Sequence, residues 1–167
     1  AMIVEPVMMN AGIIPPEEGY LEVIRDLLHG EGSLLIFDEV KTGFTTGPGG
    51  VTASSGVVPD MVCLAKALGG GIAVAAIGGT ETVMSAIADG RYEQVGTFNG
   101  NPLAMAATRA TLTDVLTSQA YTHLEALAAP IGPSEKKIGS TPVCVSKLSN
   151  ATRRWSTIAC CLWRSRM

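Results

Sequence analysis

No stretch of this 167-residue sequence is apolar for the roughly 18 residues that a membrane-spanning helix needs, so no membrane passage is expected. Metal chemistry is equally short of ligands. Cys63, Cys144, Cys160 and Cys161 show no Cys-x-x-Cys spacing, and His29 and His123 do not complete a zinc set. No Walker-type Gly-Lys-Ser/Thr occurs. The opening Ala1-Met2-Ile3-Val4-Glu5-Pro6 has no basic region and runs straight into an apolar stretch, so no signal peptide is expected and the chain reads as the middle of something. Asn150-Ala151-Thr152 matches a glycosylation acceptor, but nothing else suggests secretion. A reducing, cytoplasmic setting is the default expectation.

What is present describes a folded domain. An apolar fraction of 47% against 16% charged residues is globular and not disordered. The formal charge of −3 conceals a division. Residues 1–131 carry five Lys/Arg against 14 Asp/Glu (−9), while residues 132–167 carry seven against Glu135 alone (+6). Both tryptophans and three of the four cysteines also lie beyond residue 131, and periodicity dissolves after Pro130. The expected organisation is therefore a domain over 1–130 and an atypical basic tail over 131–167. An out-of-frame or disordered stretch accounts for the tail, and resequencing the 3′ region of the gene tests the frame. A divergent tail lying on a partner or an anionic surface is the alternative. Nucleic-acid binding would rest on that tail alone and is not expected.

Within the first 130 residues, strands and helices alternate. Residues 2–7 and Ser33–Val40 read as buried strands, as do 60–66 and 73–78. Glu17–His29, with Leu21, Ile24, Leu27 and Leu28 at helical spacing, reads as a helix, and so does Thr80–Ala88 with Thr80 as its cap. Thr42–Gly56 reads as a Gly/Thr/Pro-rich loop, and Leu103–Ala128 as one long helix. The pattern predicts an α/β fold with a mainly parallel sheet and flanking helices, whose ligands gather at the carboxyl ends of strands. Asp38 and Lys66 both fall there.

Lys66 sits in the apolar run Leu64-Ala65-Lys66-Ala67-Leu68, where a charged amine would be costly and a neutral one is favoured. Taken alone it reads more readily as a lysine reaching from a helix start to solvent. Asp38 closes a strand, and taken alone it reads more readily as a cap or turn former.

Four ordered motifs change that balance. Asp38-Glu39-Val40-Lys41-Thr42-Gly43-Phe44, Pro59-Asp60-Met61, Lys66-Ala67-Leu68-Gly69-Gly70-Gly71 and Gly96-Thr97-Phe98-Asn99-Gly100-Asn101-Pro102-Leu103-Ala104 follow one another, preceded by Glu5-Pro6-Val7, Asn10 and Pro15-Pro16. Together they closely resemble the class III aminotransferases that depend on pyridoxal 5′-phosphate (PLP). The nearest branch is that of the glutamate-1-semialdehyde aminomutases. The resemblance covers about residues 1–130 and implies part of the large domain of a PLP-dependent transferase of fold type I.

That resemblance also implies roles. Lys66 would be the Schiff-base lysine and proton carrier. Asp38 would pair with the pyridine nitrogen, keeping it protonated so that the ring can absorb electrons. Val40 would pack against the ring face. Thr97 would donate to the phosphate of the cofactor in the partner subunit, which implies a homodimer; without the other motifs it would be a simple helix cap. Glu39 lies beside the site, with a structural ion-pair or hydrogen-bonding role as its alternative. Glycines 69–71 give backbone room behind Lys66.

Substrates would be an amino acid or amine with a keto or aldehyde acceptor. Many relatives place an arginine after the position of Phe44, where this chain has Thr45-Thr46-Gly47-Pro48. The main phosphate-binding turn and much of the substrate pocket belong to segments of the family outside this stretch. A catalytically incomplete chain that keeps part of a PLP site is the competing functional reading. An unrelated α/β binding domain is the third.

Overall fold

The computed structural model describes residues 1–129; the tail lies outside the described residues. Four strands form one sheet in the order β1 (Met2–Val4), β2 (Leu35–Asp38), β3 (Met61–Leu64), β4 (Ala76–Gly79). The first three are parallel, with Val4 opposite Phe37 and Asp38 opposite Cys63. The fourth returns antiparallel, with Leu64 opposite Ala76. The mainly parallel α/β expectation holds.

Parallel neighbours need crossover connections. Helix α1 (Tyr20–Gly30) supplies the first, and its apolar stripe seats Leu21, Ile24 and Leu28 against Leu35 and Phe37. Val7, Val51, Val57 and Val62 complete that core, in which Leu35 and Phe37 are fully buried. Each such large side chain contributes about 1.5–3 kcal/mol by leaving water. At the far end of α1, His29 pairs with Asp60 at 3.0 Å, and the same Asp60 oxygen accepts from the Leu35 amide, so one carboxylate ties helix, β2 and the start of β3.

Four expectations need correction, the first being the buried strand over 2–7: β1 ends at Val4, and Met2 and Ile3 are exposed. The loop over 42–56 contains helix α2 (Gly50–Ser55), whose signal lies outside its own sequence, as described below. Thr80 occupies the position before α3 (Glu81–Ala88), but its side chain makes no capping bond. The long helix over 103–128 is two. Helix α4 (Pro102–Ala110) passes into a wide turn at Thr111–Val115, where the Leu116 amide bonds the Thr111 carbonyl, and α5 (Ser118–Ala128) starts afresh under Thr117, whose side chain accepts from the Ala120 amide. Threonine hydroxyls explain the break. Those of Thr111 and Thr113 bond the carbonyls of Ala107 and Arg109, competing with the helical ladder. Packing adds to it, because Thr111 lies against Gly70, a left-handed position (φ 57°) where a Cβ would meet the Thr111 hydroxyl.

No helix among the described residues is long and apolar enough to cross a membrane. Among the same residues no group of three or more His, Cys, Asp or Glu is placed to hold a metal ion.

Candidate active site

The site residues are arranged by the way β2 and β3 end. Along β2 the side chains alternate: Leu35, Phe37 and then Glu39 are buried, while Ile36 and Asp38 are half-buried on the other face. The Glu39 amide donates to the Cys63 carbonyl at 3.0 Å, so pairing with β3 continues one residue past Asp38. The Asp38 backbone is thereby held on both sides. Its side chain is held as well, since the Val40 amide donates to Asp38 Oδ1 at 3.0 Å. Across the register, the Cys63 thiol is pushed up from its ordinary range by burial and then by the negative charge of Asp38.

Glu39 is 1% exposed and accepts four hydrogen bonds. The Thr42 hydroxyl and the Val51 amide reach Oε2 at 3.0 and 2.7 Å. The Thr52 amide and hydroxyl reach Oε1 at 2.8 and 2.6 Å. Of its two sequence readings, the hydrogen-bonding one is what the structure shows. This carboxylate is also the missing signal for α2, since it satisfies amide donors of the first turn from outside the helix.

Lys66 follows β3 by two residues and opens a 3₁₀ turn, Lys66–Gly69, at the carboxyl edge it shares with Asp38. Its φ of 49° is left-handed, a conformation that costs a non-glycine residue about 1–2 kcal/mol. The expectation of a buried amine is not met: Lys66 is exposed, while Leu68 and Gly69 beyond it are buried. Of the apolar run, Leu68 is buried, Leu64, Ala65 and Ala67 are half-buried, and the lysine lies outside.

Val40 is half-buried in the turn that follows Asp38. Lys41, next to it, donates to Asn10 Oδ1 at 3.1 Å, linking the loop after β1 to the loop after β2. Thr97 is exposed in the turn leading to α4. No hydrogen bond among the described residues links it to Asp38, Val40 or Lys66. Its alternative role as a helix cap falls away, because Asn101 caps α4, with Oδ1 accepting from the Ala104 amide at 2.9 Å. Three of the four expected site residues therefore share one sheet edge, and Thr97 stands on a separate, exposed segment. The partners of Glu39 and the Asn10–Lys41 link went unread in the sequence.

Known proteins resemble this arrangement. The family profile described as "Aminotransferase class-III" matches residues 1–142. A glutamate-1-semialdehyde 2,1-aminomutase of Natranaerobius thermophilus is 46% identical over 138 residues, which is 82% of this chain and 32% of that protein. A glutamate-1-semialdehyde aminomutase variant of Pseudomonas aeruginosa PAO1, solved in complex with PMP, superposes with a TM-score of 0.69 at 35% identity, covering 78% of this chain and 31% of that one. An omega-transaminase of Sphaerobacter thermophilus does so with a TM-score of 0.71 at 34% identity, covering 78% and 30%. The chain spans about a third of the length of these relatives.

Proposed function

The chain belongs to the class III aminotransferases, and from that premise we propose that it is the cofactor-anchoring part of a PLP-dependent amino-transferring enzyme of the glutamate-1-semialdehyde aminomutase type. The observation that carries the reading is the placement of Asp38 and Lys66 at one carboxyl edge of adjacent parallel strands, where ligands of such sheets gather.

The donor set fits the group. A pyridine nitrogen that must stay protonated needs a carboxylate, and Asp38 is anchored through Oδ1, with Oδ2 as its second acceptor. An amine that condenses with an aldehyde must be reachable, and Lys66 is exposed on a left-handed residue of the kind that clusters at functional sites. When bound, the cofactor supplies an electron sink for a carbanion at the substrate carbon. Lys66 is the covalent anchor and moves the proton, Asp38 holds the proton on the ring nitrogen, and Val40 packs on the ring face. Thr97 donates to the phosphate of a second subunit's cofactor, so the working unit is a homodimer; its exposed position on a segment apart from Asp38 supports this. Residues 1–130 belong to the large domain in this reading. The substrates are an amino acid or amine and a keto or aldehyde acceptor. The setting in this reading is reducing and cytoplasmic.

One observation favours a second reading. With Lys66 exposed, nothing in this stretch desolvates the amine, so a chain that binds the cofactor without turning over is the competitor. Mixing the chain with PLP, reducing with borohydride and mapping the modified peptide tests both. A visible band with the adduct on Lys66, lost in Lys66→Ala, is expected. Amino-group exchange with an amino acid would then separate the two readings. Adducts scattered over several lysines would sink both.

A further inference from the structure

We propose that Glu39 is a positioning residue for Asp38, acting through the turn at Val40 to fix which carboxylate oxygen faces the cofactor ring. This rests on the reading of Asp38 given above and deepens it. The inference starts from a buried carboxylate that makes no contact with the reacting groups yet is the most heavily hydrogen-bonded side chain near them. Four donors converge on Glu39 from Thr42, Val51 and Thr52. Its carbonyl accepts from the Gly43 amide at 2.9 Å, closing the turn from the other side.

The surrounding backbone is built closely around it. A Cβ at Gly43 would lie 2.8 Å from the Glu39 carbonyl oxygen and 2.5 Å from Leu64 Cδ2. At Gly50, left-handed with φ 63°, a Cβ would fall on the Glu39 carboxylate. Gly43 and Gly50 thus leave no room for a side chain beside Glu39.

The consequence for Asp38 follows from chain geometry. Neighbouring residues of a strand point to opposite faces, so anchoring Glu39 inward commits Asp38 to the other face. The same anchor holds the start of the turn, where the Val40 amide occupies Asp38 Oδ1 at 3.0 Å. Rotation of the carboxylate about its last torsion is broad and roughly two-fold when unrestrained. With Oδ1 tethered, Oδ2 is left for the ring nitrogen, and Val40, the residue assigned to the ring face, is set by the same contact. One buried glutamate therefore governs both the polar and the apolar neighbour of the ring.

The test uses the full 167-residue chain with PLP itself as probe. It reads the cofactor dissociation constant and the pH midpoint of the absorption band of cofactor bound at Lys66. Asp38→Asn sets the direction of change when the ring nitrogen loses its carboxylate. Glu39→Gln is expected to move the midpoint the same way by a smaller amount and to weaken cofactor binding by about tenfold, the scale of one disturbed charged hydrogen bond. Thr52→Val, which removes one hydroxyl donor, should move it less again and serves if Glu39→Gln does not fold. Met84→Ala, a truncation of a buried side chain on α3 away from the clamp, should lower the melting temperature and leave the midpoint in place.

A folded Glu39→Gln or Thr52→Val protein with the parent's midpoint and affinity overturns the inference. An equal shift in Met84→Ala also overturns it, because general loosening would then account for the effect. If the parent chain forms no adduct specific to Lys66, the cofactor reading fails first and takes this inference with it. A parent adduct with unaltered variants removes the inference alone.

Discussion

Two regions of this molecule handle their apolar and polar groups in opposite ways. In the turn after β2, from Glu39 to Pro59, nearly every constraint is internal. Glu39, Thr42, Val51, Val57 and Pro59 are buried, and the amides that open α2 are satisfied by a side chain twelve and thirteen residues earlier. From Tyr92 to Leu127, by contrast, large apolar side chains face outward. Phe98 is 81% exposed, Val95 78% and Leu103 70%, and α5 buries none of its residues. Its recorded tie to the turn region is the Tyr121 hydroxyl donating to the Phe44 carbonyl. A clamped turn can hold a carboxylate to a fraction of an ångström; an exposed arm cannot define a site without another surface against it. In the proposed reading, Asp38 and Val40 serve the site of their own subunit and Thr97 that of a second one.

The sharpest way to break the comparison is to remove the support beneath the clamp. Phe37→Ala should cost about 3–5 kcal/mol as a fully buried aromatic becomes a cavity, read from the urea midpoint. Next, Gly50→Ala should cost about 2 kcal/mol or more, since it combines a left-handed φ with a collision against the Glu39 carboxylate. A melting temperature equal to the parent's would mean that the close approach of Gly50 to Glu39 is not real. In the arm, Asn101→Ala should cost about 1 kcal/mol through loss of a cap. Amide exchange should speed up in the first turn of α4 while the amides of Val51 and Thr52 stay protected. The smallest change is expected from Leu127→Ser, within about 0.5 kcal/mol, because that side chain is 56% exposed. A loss above about 1 kcal/mol, read from the same urea titration, would show that α5 buries that face after all and would erase the contrast.

How much was legible in the sequence varied by element. Strands β1 to β4 and helices α1 and α3 announced themselves through apolar runs and helical spacing, which depend on neighbours a few residues apart. The proposal of Asp38, Val40, Lys66 and Thr97 as site residues came from the order and spacing of four motifs. The exposure of Lys66 was not legible, because an apolar run says that something is buried without saying which member escapes. The break at Thr111 was hidden for a related reason: an Ala/Leu-rich stretch reads as continuous until its threonine hydroxyls and the contact with Gly70 are seen together.

The sequence by itself determined the alternating α/β plan, the family and the identity of the residues proposed to meet the cofactor. Hydrophobic period and ordered motifs are properties of adjacent and evenly spaced residues, and they survive being read in one dimension. Only the tertiary structure decided the direction of each side chain, the return of β4 as an antiparallel strand, the existence of α2 and the work of Glu39. Those depend on groups twelve or more residues apart meeting within hydrogen-bond distance, and a one-dimensional pattern carries no record of such meetings.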